Sequence, residues 1–166
     1  MNSRHLFLLI ALVFSLIPVV HALEPGDTVP DCQLKSFPDA KPLSFKQYQG
    51  KVLYIDFWAS WCGPCAKSFP FLNNLNSELK DQGFQVIGVN LDENPEDARN
   101  FLFKYPVSFS IAADIQEQCA KLFAVQAMPS SYLVDRKGVV RHVHLGFRGG
   151  EAEELKNLVK TMLAGQ

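Results

Sequence analysis

The stretch Lys51-Val52-Leu53-Tyr54-Ile55-Asp56-Phe57-Trp58-Ala59-Ser60-Trp61-Cys62-Gly63-Pro64-Cys65 decides how this chain folds. From Lys51 to Trp58 it is a β-rich apolar run with one carboxylate, Asp56, which predicts a central strand buried on both faces. Directly after it, Phe69, Leu72, Leu75 and Leu79 recur at helical spacing, so a helix is expected from about Pro64 to Asp81, with Gly83 as its stop. Two cysteines three apart therefore fall where a buried strand hands over to a helix.

Working outward, Gln85 to Leu91 predicts a second buried strand. Asn94 caps a helix that opens with Pro95, carries Glu96 and Asp97 in its first turn, and runs to about Lys104. A short strand is expected near Phe109 to Ala112 and a third helix from Asp114 to Phe123. Ser131 to Asp135, a turn at Arg136, Lys137 and Gly138, and Val139 to Leu145 read as a hairpin. A last amphipathic helix, from about Gly150 to Leu163, places Leu155, Leu158, Val159 and Met162 on one face. The order β-α-β-α-β-α-β-β-α is that of an α/β protein with a mixed central sheet flanked by helices. Upstream, residues 23–42 are rich in Pro, Asp and Gly and predict a loosely built lead-in with at most a short hairpin, before a domain over residues 43–166.

Composition bounds the function. With 48% hydrophobic and 20% charged residues the chain is ordinary globular protein, and a net charge of −1 leaves no excess of cations to neutralise phosphates, so nucleic acid is not expected as a partner. The amino end has Arg4 and His5, an apolar stretch from Leu6 to Val20, and Val20-His21-Ala22, the pattern of a signal peptide cut after residue 22, with an uncleaved anchor as the alternative. Export, most simply to a periplasm, implies a compartment where disulfides persist.

In such a compartment two thiols at a helix start can close a small disulfide ring, and the helix dipole stabilises a thiolate on the first. Cys62 is thus expected to be the exposed nucleophile that attacks a partner disulfide, and Cys65 the buried thiol that resolves the mixed disulfide. Zinc would need two further ligands, and no second Cys-x-x-Cys or paired His motif lies nearby, so no metal is expected. No G-x-G-x-x-G follows a strand, so no nicotinamide or flavin cofactor is expected either. Asp56, a carboxylate inside a buried strand, should have a raised pKa and accept the Cys65 proton during the second exchange. Cys119 sits at a core position of the third helix and Cys32 in the lead-in. They are either two buried free thiols or a structural disulfide, and the sequence leaves both open. His142 and His144 alternate on one face of the last strand, which is read as a solvated edge rather than a copper site.

The segment from Asp56 to Cys65 resembles the active-site segment of the thioredoxin superfamily. Pro70 matches that family's helix-kinking proline, Met128-Pro129 its cis-proline loop, and Gly138 and Gly146 its terminal hairpin, so the resemblance covers Leu43 to Ala164. Gly26, Asp27, Pro30 and Asp31 in the lead-in, Val89 to Asp92, and Pro129 to Asp135 resemble more narrowly the exported TlpA/ResA-like members. The resemblance implies a thioredoxin fold with a lead-in hairpin, and thiol-disulfide exchange in which Trp61, Gly63, Pro64, Met128 and Pro129 meet the partner. It also implies a membrane electron donor of the DsbD or CcdA kind.

Gly63 and Pro64 add neither charge nor donor beside Cys62, so a poise near that of thioredoxin, about −270 mV, is expected, which favours a reductase. Relatives dedicated to cytochrome c maturation generally carry Glu where this chain has Ser68, and Gly-Ala-Pro-Glu-Thr where it has Gln126 to Ser130. Apocytochrome c, copper-site proteins and general repair of exported disulfides thus stand equally as targets. Two other classes compete: a peroxiredoxin, which wants Pro and Thr before its reactive Cys where Asp56 to Cys62 has neither, and a copper chaperone using Cys62 and Cys65.

Overall fold

A computed structural model describes residues 22–165. Residues 1–21, most of the segment read as an export signal, lie outside the described residues. Among the described residues no helix is long and apolar enough to cross a membrane.

Seven strands form one sheet: β1 (Leu34–Ser36), β2 (Pro42–Leu43), β3 (Val52–Trp58), β4 (Phe84–Asn90), β5 (Ser110–Ala113), β6 (Ser130–Val134) and β7 (Val140–Leu145), in the order β2-β1-β5-β4-β3-β6-β7. The central pairs β3·β4 and β4·β5 are parallel and the outer pairs antiparallel. The helices are α1 (Gly63–Leu79), α2 (Pro95–Lys104), α3 (Gln118–Leu122) and α4 (Glu151–Ala164). This is the mixed, helix-flanked sheet that the element order predicts.

All of β3 is buried, and its side chains alternate between two cores. Val52, Tyr54 and Trp58 pack with Phe69, Leu72, Leu75 and Leu79 of α1 and with Phe101 and Val159. Leu53, Ile55 and Phe57 face Cys32, Phe45, Cys119, Phe123 and Tyr132 on the other side. In the first core the ring of Trp58 lies 4.8 Å from those of both Phe69 and Phe101. Gly88 on β4 makes that packing possible: a Cβ there would stand 3.0 Å from Ile111 Cδ1 and 3.1 Å from Trp58 Nε1. Burying such rings, at about 25 cal/mol per Å² of apolar surface, anchors the strand end that leads into the cysteines.

Two expectations need correction. The third helix starts at Gln118, not Asp114. The Asp114 carboxylate instead accepts the Ala120 amide at 2.8 Å, and Glu117 takes a left-handed backbone, φ 53°, that no helix interior allows. The lead-in is also not loose. β1 pairs with β2 as a hairpin and with β5 as part of the sheet, while Gly26 and Val29 donate to Val140 and Gly138 at the opposite edge.

Candidate active site

Cys62 is the N-cap of α1. Its backbone is extended (φ −81°, ψ 100°), and its Sγ accepts the Cys65 amide at 3.2 Å. A free amide of a helix start thus points at this sulfur, and with the dipole behind it the position favours a thiolate once the bond is reduced. Pro64 falls in the first turn, where its missing N–H costs nothing. Cys62 and Cys65 form a disulfide, with Cα atoms 5.3 Å apart.

In the closed bond Cys65 is fully buried and Cys62 is 4% exposed, with its sulfur on the amide of the helix start. The exposed group is Trp61, at 73%. Its ring is not packing, and with Ser60, Gly63, Lys104 and Tyr105 it lines a shallow cavity of about 380 Å³ beside Cys62. Nothing stands within 4 Å of where a Cβ on Gly63 would be, so approach from that side is open. The Met128–Pro129 peptide is cis, and Met128 packs against the core that holds both cysteines. Among the described residues neither the amide nor the carbonyl of Met128 has a backbone partner, whereas the Pro129 carbonyl accepts Gly146 N–H at 2.8 Å.

Asp56 is fully buried on the α1 face of the sheet, between Tyr54 and Trp58 on the same side of β3. Burial pushes its carboxyl up to about 7, against the lowering effect of the Ser131 hydroxyl, which donates to Oδ1 at 2.6 Å. Its other oxygen, Oδ2, is buried with no partner. Burial, and then the charge of Asp56, push the Tyr54 phenol well above its usual range.

Sequence reasoning missed two supports. Ser131 lies opposite Asp56 in the antiparallel β3·β6 register, and only strand pairing brings residues so far apart in sequence together. The available signal was a polar residue inside a buried apolar strand. Asp92 is the second. Its buried carboxylate accepts Ser60 N at 3.0 Å, Ser60 Oγ at 2.9 Å and Asn90 Nδ2 at 2.7 Å, and so holds the loop that enters Trp61 and Cys62.

Cys32 and Cys119 lie in the other core, joined by a disulfide across 87 sequence positions. His142 and His144 correct the reading of a solvated edge: their rings stack 6.3 Å apart under α4, and His144 Nε2 meets Glu151 Oε2 at 3.2 Å. Among the described residues no group of three or more His, Cys, Asp or Glu is gathered as a metal ion would require.

Comparison with known proteins agrees with this geometry. A solved structure assigned as a thiol:disulfide interchange protein DsbE from Chlorobium tepidum superposes with a TM-score of 0.82 at 41% identity, covering 86% of this chain and 99% of that one. The thiol-disulfide oxidoreductase ResA of Bacillus subtilis (strain 168) is 29% identical over 145 residues, 85% of this chain and 80% of that protein. ResA of Bacillus thuringiensis subsp. konkukian is 32% identical over 102 residues, and the match spans 59% of its length. The fold is the thioredoxin fold. The redoxin family pattern matches residues 24–160, and the chain belongs to the redoxin family.

Proposed function

We propose that this chain is a thiol-disulfide oxidoreductase that reduces disulfides of exported partner proteins. The observation that carries the reading is the juxtaposition of Cys62 as a helix N-cap, Cys65 buried one turn on, and Asp56 buried on the same face with one oxygen unpartnered. In the reduced protein the Cys62 thiolate attacks one partner sulfur, and the other leaves as a thiolate that takes a proton from solvent. Cys65 then passes its proton to Asp56 and attacks Cys62 Sγ, closing the internal bond and releasing the second partner sulfur as a thiolate that takes a proton from solvent. The unpaired backbone of Met128 beside the cis Pro129 suits an extended partner segment that adds strand-like hydrogen bonds, with the Trp61 ring covering it.

The direction follows from the neighbours of Cys62. The helix dipole and one amide favour the thiolate, and the two residues between the cysteines, Gly63 and Pro64, add neither charge nor donor, which supports a reductase poise. Export and re-reduction by a membrane donor of the DsbD or CcdA kind belong to the same reading. Ser68 supports no dedicated haem-protein role, since its hydroxyl donates to the Cys65 carbonyl at 3.1 Å inside the helix and offers no carboxylate.

The test is a Cys65→Ser variant in the native exported compartment, alongside insulin reduction by the unaltered protein. Mixed disulfides on Cys62 with exported proteins, and insulin reduction driven by an added thiol donor, are expected. Peroxide consumption without a thiol acceptor, or tight copper binding with no insulin reduction, would overturn the reading.

A further inference from the structure

The Asp56 carboxylate is asymmetric. Oδ1 accepts the Ser131 hydroxyl at 2.6 Å, whereas Oδ2 is buried with no partner at all. Both residues are fully enclosed, so water does not compete for either oxygen in the way it would at a surface. We propose that Ser131 is a positioning residue for the exchange: by holding Oδ1 it leaves Oδ2 as the single atom that receives the Cys65 proton, and it sets the pH at which that transfer runs.

The sheet register sets this pair side by side, with the Tyr54 phenol as the further polar group that interacts with the Ser131 hydroxyl. Asp56 lies opposite Ser131 on β6 and opposite Gly88 on β4, and Gly88 has no side chain to offer a competing donor. His144 on β7 is opposite Ser131, one strand further from the acid, and its ring is turned to Glu151 of α4. The titratable groups facing this region are Tyr54 on β3, Cys62 and Cys65 on α1, His142 and His144 on β7, and Glu151 and Glu154 on α4. Among them Tyr54 stays neutral. Burial and the Ser131 hydroxyl are the influences on the Asp56 carboxyl, with no charged group among them. Ser131 is therefore the polar lever on this acid.

The step rests on the proposed function above and balances simply. The Cys65 S–H bond breaks and an O–H bond forms at Asp56 Oδ2. The sulfur keeps the electron pair and attacks Cys62 Sγ, and the bond from Cys62 to the partner breaks with its pair on the partner sulfur. Throughout, Ser131 keeps donating to Oδ1, more strongly while the carboxylate is charged. Losing that donor favours the protonated acid, so at neutral pH fewer molecules hold an ionised Asp56 able to accept the proton.

Ser131→Ala and Ser131→Thr, reacted in reduced form with oxidised glutathione, test this. The bimolecular rate reports attack by Cys62, and the first-order limit at saturation reports resolution by Cys65. Ser131→Ala should raise the midpoint of the pH profile of resolution by about 1 to 2 pH units and slow resolution about fivefold or more at pH 7, leaving the bimolecular step unchanged. Ser131→Thr should restore the wild-type midpoint. Carboxyl-carbon NMR of Asp56 in the oxidised protein, where no exchange takes place, should show the same upward shift in Ser131→Ala. Equal midpoints in wild type and Ser131→Ala overturn the role of Ser131 while leaving the exchange reading intact. Wild type that fails to react with glutathione overturns both.

Discussion

The two disulfides span the same 5.3 Å between Cα atoms yet lie in opposite cores of one sheet with different surroundings. Cys62–Cys65 sits at a helix start, beside an exposed tryptophan and on the face that holds a buried carboxylate oxygen with no partner. Cys32–Cys119 lies among Leu34, Phe45, Phe57, Phe123 and Tyr132, and ties the lead-in to α3. The lesson is that the environment, and not the bond, distinguishes them: one setting has a helix start and a buried carboxylate on the same face, while the other surrounds its sulfurs with apolar side chains.

The widest separation between the two comes from removing sulfurs. Cys62→Ser should abolish insulin reduction, while the double variant Cys32→Ser/Cys119→Ser should retain it at low temperature. Loss of activity in the folded double variant would erase the contrast. Next in size is Asp56→Asn, which should slow release of the reduced partner by about 10² to 10⁴ and leave formation of the mixed disulfide nearly unchanged. Single-turnover kinetics resolve the two steps, and an unchanged second step would remove Asp56 from the mechanism.

Stability should respond the other way round. Opening a loop of 87 positions by removing Cys32–Cys119 should cost up to about 4 to 5 kcal/mol in denaturant unfolding, by the chain-entropy model. A loss below about 1 kcal/mol would make that bond incidental. Asp56 has the opposite sign to a stabilising acid. Its folded pKa, raised to about 7, exceeds the unfolded value, so its burial destabilises fully above pH 7 and ceases to do so as pH falls through 7 toward 4. The stability of Asp56→Asn relative to wild type, measured on the oxidised proteins, should therefore change by roughly 3 to 4 kcal/mol in favour of wild type between pH 8 and pH 4. A difference that is flat with pH would contradict the raised pKa.

The active-site half of this contrast was legible in the sequence because it rests on local patterns, whereas the pairing of Cys32 with Cys119 was left open. The apolar run before Trp61, the helical spacing after Cys65 and the capped start at Asn94 each specify an element within a few residues, and Asp56 stood out as a charge in a buried strand. What escaped depends on pairings distant along the chain. Ser131 meets Asp56 only through antiparallel register, and Asp92 reaches back to Ser60 across the parallel β3·β4 edge. The third helix was overextended because Asp114 reads equally well as a first-turn acid and as a side-chain cap further out. His144 looked exposed because its cover, α4, lies later in the chain.

The central claim is that these bonds have different reducibility because of where they sit. Equilibration of the folded protein in thiol buffers of graded potential, with mass spectrometry counting each bond separately, tests it most directly. The account predicts that Cys62–Cys65 opens with a midpoint near −270 mV, within a few tens of millivolts, while Cys32–Cys119 stays closed below about −300 mV. Opening of both bonds together, or of Cys32–Cys119 first, would contradict it.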